Sequence, residues 1–258
     1  MITSIILAAG KGKRMNSKLK NKVVMNFAGK PLIIYAVELM KKVSDNQIVV
    51  VGSFAESVKE VLKKYLVNYA YQKKRLGTGH AVKVALNVIK EKNLSPSLIL
   101  VGYGDHMMFY KEKTIKRFIN NHLKNKAAMS LVTVNYNNPD ELAWGRIIRD
   151  EKTGYVIDSV EQKDADLKQR KIKELNAGFY CFDYQILRKF ISKIPKSRAS
   201  GEYYLNSLVK ILADRGYKVL VFPVVFEEIG IGVNKKEELE KSEKLYTLLL
   251  KQTPNPKS

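Results

Sequence analysis

Cysteine is scarce in this chain of 258 residues, and long apolar runs are absent. The single cysteine, Cys181, excludes an internal disulfide and a cysteine-rich zinc site. No apolar run approaches the roughly 18 residues that a membrane-spanning helix needs. The apolar N-terminal stretch has no basic residues before it, so we interpret it as a first strand and not as a signal peptide. These absences predict a cytoplasmic protein.

Acidic residues are also few. The chain has 25 Asp and Glu against 46 Lys and Arg, which gives a net charge of +21, and its first acidic residue is Glu38. This balance favours anionic partners, such as nucleotides, sugar phosphates, RNA or an acidic membrane surface. The lysines are spread along the whole chain, so charge alone does not choose among these partners.

Apolar runs alternate with helical patterns in the first half of the chain. β-Branched runs predict strands at residues 2–7, 47–51, 67–71, 97–101 and 129–134. Apolar residues at three- and four-residue spacing predict helices at residues 31–42, 54–65, 78–91 and 113–124. This alternation predicts an α/β fold with a central, mostly parallel sheet flanked by helices. Ligands of such sheets bind beyond the carboxyl ends of the strands.

The second half of the chain is more mixed. Its patterns predict strands at residues 155–160, 175–182 and 218–225 and helices at residues 184–192 and 203–214. A charged helix is expected from residue 235 to about 251, followed by a frayed polar tail. We predict one compact domain over residues 1–234 and a C-terminal helical arm with its tail over residues 235–258.

Two glycines and three cations follow the first predicted strand directly, in the segment Leu7-Ala8-Ala9-Gly10-Lys11-Gly12-Lys13-Arg14-Met15. Glycine lets a backbone approach phosphates closely, and N–H groups with Lys or Arg supply positive potential. The segment is therefore a candidate triphosphate site, with a solvated basic loop as the alternative. It matches neither a Walker A loop nor a dinucleotide fingerprint, because no Ser or Thr follows Gly12-Lys13 and Met15 stands where the fingerprint has Gly or Ala.

Further short motifs follow this segment in a fixed order. They are Gln72 with Leu76-Gly77-Thr78-Gly79-His80-Ala81, Tyr103-Gly104-Asp105, Trp144-Gly145-Arg146-Ile147, Glu161 with Lys163-Asp164-Ala165, Glu174 with Asn176-Ala177-Gly178, Gly201-Glu202-Tyr203-Tyr204 and Gly232-Val233-Asn234. Together with the glycine-rich segment, this series over residues 3–234 resembles the sugar nucleotidyltransferase family. The resemblance is to the pyrophosphorylase domain of the bacterial bifunctional N-acetylglucosamine-1-phosphate uridylyltransferase.

The resemblance implies a Rossmann-like, glycosyltransferase-A-like nucleotidyltransferase fold and a Mg²⁺-dependent reaction. UTP and N-acetylglucosamine 1-phosphate would give UDP-N-acetylglucosamine and pyrophosphate by in-line attack of the sugar phosphate on the α-phosphate. Catalysis would consist of positioning and charge neutralisation, with no general base, because the attacking phosphate is already ionised. Arg14 and Lys22 would be the catalytic cations, and Asp105 and Asn234 would hold the Mg²⁺.

The resemblance also implies a set of contact residues and partners. The nucleotide would be bound by Leu7, Ala8, Ala9, Gly10, Lys22, Gln72, Gly77 and Thr78, with Gln72 reading the base edge. The sugar pocket would be formed by Tyr103, Gly104, Gly145, Glu161 and Asn176. We expect small-molecule substrates, no specific nucleic acid, no membrane, and a monomer or homodimer.

Some members of these motifs also have an ordinary structural interpretation. Gly145 and Gly178 could be turn glycines, and His80 is expected to cap or pack its helix and not to catalyse. His106 and His122 have no Cys, His or carboxylate partners at zinc spacing, so we expect neither to bind a metal.

The sequence departs from the family pattern at several points. Lys13 stands where threonine is usual, Asn21 replaces a proline before Lys22 with one extra residue after Met15, and the His106-Met107-Met108 segment lacks a usual proline. The hexapeptide repeats of the bifunctional enzyme's second domain are missing, so we expect no acetyltransferase activity. Two alternatives stay open: the same chemistry with another sugar 1-phosphate or nucleoside triphosphate, and a catalytically silent basic module that binds nucleotide or RNA.

Overall fold

The structure, a computed structural model, describes residues 1–10, 20–233 and 236–252. Its strands are β1 (Ile2–Ala8), β2 (Asn26–Phe27), β3 (Lys30–Pro31), β4 (Asn46–Val51), β5 (Asn68–Tyr71), β6 (Leu98–Tyr103), β7 (Met129–Asn135), β8 (Gly145–Arg149), β9 (Val156–Val160), β10 (Glu174–Asp183) and β11 (Val219–Val224). Its helices are α1 (Leu32–Lys41), α2 (Ala55–Leu62), α3 (Thr78–Glu91), α4 (Glu112–Lys124), α5 (Leu167–Arg170), α6 (Tyr184–Phe190), α7 (Leu208–Ala213) and α8 (Lys236–Gln252). None of the helices in these ranges is long and apolar enough to cross a bilayer.

Strand β1 lies in the middle of the main sheet. Seven strands lie side by side in the order β11, β7, β10, β6, β1, β4, β5, and β8 and β9 extend the sheet from β10. Strand β1 is parallel to β4 on one side and to β6 on the other, whereas β10 runs antiparallel to its neighbours β6 and β7. The order of the strands therefore changes direction at β1, which leaves a crevice at its carboxyl end. The predicted α/β fold with a mixed, mostly parallel sheet is confirmed.

Both faces of the sheet are covered by helices, which explains why the central strands are apolar without interruption. Ile6 and Ala8 of β1 pack with α1, α2 and α4, whereas Ile5 and Leu7 face the layer formed by α3, α6 and α7. Successive strand residues point to opposite faces, so both sets are buried. Each fully buried aliphatic side chain contributes roughly 1.5–3 kcal/mol to folding.

Most predicted elements agree with the structure to within one or two residues, and the helix predicted at residues 203–214 is partly wrong. The helix α7 covers only its second half, and a short 3-10 helix at Leu205–Ser207 precedes it. Tyr203 is extended because its backbone is used elsewhere: its N–H donates to Leu76 O and its carbonyl accepts from Gly79 N–H. A tertiary pairing therefore replaces the first helical turn.

Strand β8 was not predicted from the sequence. Gly145, which could be a turn glycine, is instead its first residue and pairs with Asn176 of β10. The five-residue strand contains two arginines, so no apolar run marks it. This strand therefore forms because it pairs with β9 and β10, and not because its residues favour a strand locally.

The predicted C-terminal helix is confirmed as α8, which packs through aromatic side chains. The Tyr246 ring makes edge contacts with Phe27, Tyr35 and Phe109, at centroid distances of 5.2, 6.0 and 5.6 Å. The Tyr35 hydroxyl donates to Phe27 O at 2.8 Å, which fixes the centre of this cluster. The division into residues 1–234 and 235–258 stays a prediction, and the predicted frayed tail at residues 253–258 lies outside the described residues.

Replacing Tyr246 with alanine should weaken the attachment of α8. Because the substitution removes the contacts of this ring with three aromatic side chains, we expect the free energy of unfolding to fall by about 2 kcal/mol. Leu248 on the same helix is 56% exposed and is the matched control. Its replacement with alanine should change stability by less than about 0.5 kcal/mol in the same urea titration. Equal effects of the two substitutions would contradict a packed role for Tyr246.

Candidate active site

A cleft of about 710 Å³ opens at the carboxyl ends of the central strands. It is lined by most of the residues that the sequence predicts for the site, namely Leu7, Ala8, Ala9, Gly10, Lys22, Gln72, Gly77, Thr78, Tyr103, Asp105, Gly145, Glu161 and Asn176. Gly104 lies behind the wall, where its N–H donates to Leu7 O at 3.0 Å and an added Cβ would lie 2.6 Å from Ile33 Cδ1. Arg14 and Asn234 lie outside the described residues.

An ion pair between Lys22 and Asp105 lies in the wall of the cleft. Asp105 follows the end of β6, and Lys22 begins a short 3-10 helix that ends at Val24. Both side chains are 14% exposed, so each keeps only a small contact with water. A lysine ammonium and a carboxylate in such a shielded place interact more strongly than an exposed pair. The two residues therefore bring opposite charges to the carboxyl end of the central strands.

Asn21 holds this arrangement together. Its side-chain Nδ2 lies within 3.0 Å of three backbone carbonyl oxygens, those of Ala8, Gly10 and Ser53. Its Oδ1 accepts from Val23 N–H at 3.1 Å and so caps the helix that starts at Lys22. With 1% of its surface exposed, Asn21 ties the end of β1 to the segment that carries Lys22. The asparagine that stands where the family usually has proline is thus a buried hydrogen-bonding centre.

The start of α3 forms the second wall, and close packing fixes it. Gly77 has a φ of +97°, and an added Cβ would lie 2.6 Å from Tyr203 O, so a larger residue does not fit. The Thr78 hydroxyl accepts from Leu205 N–H at 2.9 Å. The Gln72 Nε2 lies 3.0 Å from Gly77 O and 3.0 Å from His80 Nδ1. His80 therefore packs as expected, and it also contacts the residue predicted to read the base.

Strand β10 and β6 together form the opposite end of the cleft. Asn176 donates to the Tyr180 hydroxyl at 2.9 Å and accepts from Gly178 N–H at 2.9 Å. Gly178 has a φ of +75° in the irregular part of β10, and an added Cβ would lie 2.6 Å from the Tyr103 ring. Position 178 thus requires glycine for two reasons, its positive φ and its close contact with the Tyr103 ring. It is not an exchangeable turn residue.

Glu161 is the unusual acid of the cleft. Burial, with a further contribution from the Asp164 carboxylate, raises the pKa of Glu161 to about 7. None of the described residues donates a hydrogen bond to its carboxylate. A carboxyl that faces a cleft, accepts no hydrogen bond from these residues and has such a pKa is a candidate for ligand binding.

Several lining residues are not among the predicted contact residues. Arg75 and Lys163 add cations, and the Arg75 Nη1 donates to Ser53 Oγ at 3.0 Å. His106 and Trp144 add aromatic surface, with ring centroids 5.0 Å apart. Burial lowers the pKa of His106, so its ring is neutral at pH 7. Arg75 lies in the sequence between Gln72 and the following glycine motif. This position is the only sequence signal that could have identified it.

The Trp144-Gly145-Arg146 motif contains a structural arginine. The Arg146 side chain is fully buried and donates to the backbone carbonyl oxygens of Pro139, Leu142, Trp144 and Arg170. Its charge is compensated by these oxygens and by Asp140 at 3.4 Å. Arg146 therefore holds the loop that carries Trp144 and is not available to a ligand.

Substitution of Asn21 should damage both the fold of this wall and its chemistry. Asn21→Pro removes the N–H that donates to Ser57 Oγ and the amide that contacts three carbonyl groups. Each buried group left unpaired costs about 1–3 kcal/mol, so we expect a loss of at least about 2 kcal/mol in a denaturation experiment. Asn125→Ala, at a partly exposed helix end, is the control. An Asn21→Pro protein as stable as the wild type would contradict this role.

Comparison with known proteins agrees with this geometry. A family profile described as Nucleotidyl transferase matches residues 3–226. Among curated relatives, the Bifunctional protein GlmU of Caldicellulosiruptor saccharolyticus is 43% identical over 239 residues, which cover 92% of this chain and 50% of the relative. The Bifunctional protein GlmU of Clostridioides difficile is 40% identical over 244 residues, which cover 94% and 51%. The chain thus spans about half the length of the curated relatives that it matches.

A solved structure supports the same fold. A protein of Bacillus anthracis assigned as a glucose-1-phosphate thymidylyltransferase, in complex with sucrose, superposes with a TM-score of 0.73 at 17% identity. The match covers 95% of both chains. At this identity the likeness concerns the fold alone. The profile match over most of the chain and the 43% identical relative together establish that the chain belongs to the nucleotidyl transferase family.

Proposed function

We propose that this protein is a Mg²⁺-dependent uridylyltransferase that converts UTP and N-acetylglucosamine 1-phosphate to UDP-N-acetylglucosamine and pyrophosphate. A phosphate oxygen of the sugar phosphate forms a bond to the α-phosphorus of UTP, and the bond from that phosphorus to the β-phosphate oxygen breaks. Pyrophosphate leaves with that bonding pair. The family membership and the relatives named GlmU support this assignment.

The observation that carries the proposal is the ion pair of Lys22 and Asp105 at the carboxyl end of β1 and β6. It lines the same cleft as Gly10, which belongs to the glycine-rich segment, and as Tyr103 and Asn176. A cation and a carboxylate beside a run of small residues are the groups that a triphosphate with its metal requires.

In the proposal the two substrates contact different walls of the cleft. In the proposal the nucleotide contacts Leu7, Ala8, Ala9, Gly10, Lys22, Gln72, Gly77 and Thr78, and the sugar phosphate contacts Tyr103, Gly145, Glu161 and Asn176. Lys22 and Arg14 neutralise the charge that develops on the departing pyrophosphate. The attacking phosphate is ionised, so the chain needs no residue to remove a proton from it.

The donor set fits Mg²⁺. Among the described residues no three His, Cys, Asp or Glu side chains converge on one point, whereas Mg²⁺ often takes only one or two protein oxygens together with substrate phosphates and water. The Asp105 carboxylate already faces a cation, the Lys22 ammonium. We assign Asp105 and Asn234 as ligands, since the N–H of Val233, directly before Asn234, donates to Asp105 O at 3.2 Å. When bound, Mg²⁺ would neutralise charge on the triphosphate.

The setting of the reaction is also a proposal. We infer small-molecule substrates, a monomer or homodimer, and a cytoplasmic location. The only cysteine of the sequence, Cys181, is free and buried, and a single thiol is compatible with a reducing compartment.

Pyrophosphate release tests the function directly. The purified chain with Mg²⁺, UTP and N-acetylglucosamine 1-phosphate should release pyrophosphate faster than with any other pair of nucleoside triphosphate and sugar 1-phosphate. Asp105→Asn keeps the shape but removes the charge, so we expect a turnover roughly 10²–10³-fold lower, the scale of one preorganised electrostatic contact. Asp214→Asn, on an exposed helix end, is the matched control and should keep wild-type turnover. A folded protein that releases pyrophosphate with no pair would favour the silent binding module.

The raised pKa of Glu161 predicts a pH dependence of sugar binding. Above about pH 7 the carboxylate is ionised and accepts strong hydrogen bonds from sugar hydroxyl groups, and below that pH it is neutral. The KM for the sugar phosphate should therefore rise about three- to tenfold as the pH falls from 8 to 6. Glu161→Gln should remove this rise and leave only the titration of the substrate phosphate. Identical pH profiles of the two proteins would contradict the assignment.

A further inference from the structure

We propose that His80 is a positioning residue for the nucleobase. It holds the side-chain amide of Gln72 so that the amide oxygen faces the base, which favours a base with a ring N–H, such as uracil or thymine, over cytosine. The inference rests on the proposed function, because it concerns the nucleotide wall of the same cleft.

The hydrogen bonds of Gln72 fix which end of its amide is which. Its Nε2 lies 3.0 Å from Gly77 O. A carbonyl oxygen only accepts, so the NH₂ group must point towards Gly77. The same Nε2 lies 3.0 Å from His80 Nδ1 and donates its second hydrogen there. Both hydrogens of the amide are therefore bound to the protein.

This geometry also fixes the state of the imidazole. Since Nδ1 accepts a hydrogen bond, it carries no proton, and the neutral ring carries its proton on Nε2. Burial, followed by the charge of Lys83, lowers the pKa of His80, which keeps the ring neutral at pH 7. A protonated Nδ1 would face the Gln72 NH₂ as a second donor and would lose this bond.

The helix start that carries the ring is held in place by tertiary packing. His80 lies in the first turn of α3, next to Gly79, whose N–H donates to Tyr203 O at 2.8 Å. An added Cβ at Gly79 would lie 2.7 Å from Ile194 Cδ1, so the helix start approaches its neighbours closely. The backbone of His80 is therefore held in place, and its Nδ1 lies 3.0 Å from the Gln72 Nε2.

The free end of the amide is an acceptor. Gln72 is 4% exposed and lines the cleft, and its Oε1 has no hydrogen-bond partner among the residues that the structure describes. Uracil and thymine present N3–H to such an oxygen. Cytosine presents an unprotonated N3, which is a second acceptor and leaves both groups unpaired.

His80→Phe tests the inference, because it keeps an aromatic ring but removes the acceptor. The released Gln72 N–H can then turn towards the base, so we expect the ratio of kcat/KM for UTP to that for CTP to fall roughly ten- to a hundredfold. The preference for dTTP over CTP should fall in parallel. His80→Gln offers an amide oxygen as acceptor and should restore much of the preference. Lys83→Ala removes the neighbouring charge without touching the hydrogen bond and should keep the wild-type ratio.

A second measurement does not depend on turnover. The chain has three histidines, so a long-range ¹H–¹⁵N spectrum is simple to assign by comparison with His80→Phe. It should show His80 as a neutral ring with an unprotonated Nδ1 at pH 7. A protonated Nδ1 would overturn the inference.

The two levels of the proposal fail in different ways. If the wild type uses UTP and a folded His80→Phe variant keeps the same preference for UTP, only the role of His80 is overturned. A wild-type protein that releases no pyrophosphate with UTP contradicts the proposed function, and the spectrum then still decides whether the Gln72–His80 bond exists.

Discussion

The parallel pairing of β1 with both β4 and β6 is the constraint on which the rest of the molecule depends. Because the chain continues from β1 to β4 on one side and from β6 to β7 on the other, the connections that leave the carboxyl ends of β1 and β6 diverge and leave a cleft between them. Residues that follow β1, β5 and β6 line this cleft. One register choice in the middle of the sheet therefore brings together groups that are up to a hundred positions apart in the sequence.

Charge in the cleft is balanced locally, although the chain as a whole is strongly basic. Lys22 is paired with Asp105, and Arg146 is neutralised by backbone carbonyl oxygens and Asp140. Burying either cation without these partners would carry a large desolvation cost. Arg75 and Lys163 also line the cleft, as do three acidic side chains. An anionic substrate thus meets charges of both signs, and the central cation, Lys22, already has a defined position.

Close backbone packing gives the cleft its rigidity. Gly77 and Gly178 each combine a positive φ with a neighbour that leaves no room for a Cβ. The first touches Tyr203 and the second touches the Tyr103 ring, so each wall is held by a contact to a distant segment. Rigid walls matter for nucleotidyl transfer, because positioning supplies much of the rate and no covalent intermediate is needed.

The sequence by itself determined the α/β class, most element boundaries and half of the residues that line the cleft. Periodicity reports which residues must be buried, and the glycine-rich motifs report where the backbone approaches a ligand or a neighbour. Only the tertiary structure decided how Tyr203, Gly145 and Asn21 are used. Tyr203 leaves its predicted helix to pair with Leu76 and Gly79, and Gly145 joins a strand that exists only through its partners. Asn21 contacts carbonyl groups up to 32 positions away. Such pairings depend on which segments meet in space, and no local pattern of residues carries that information.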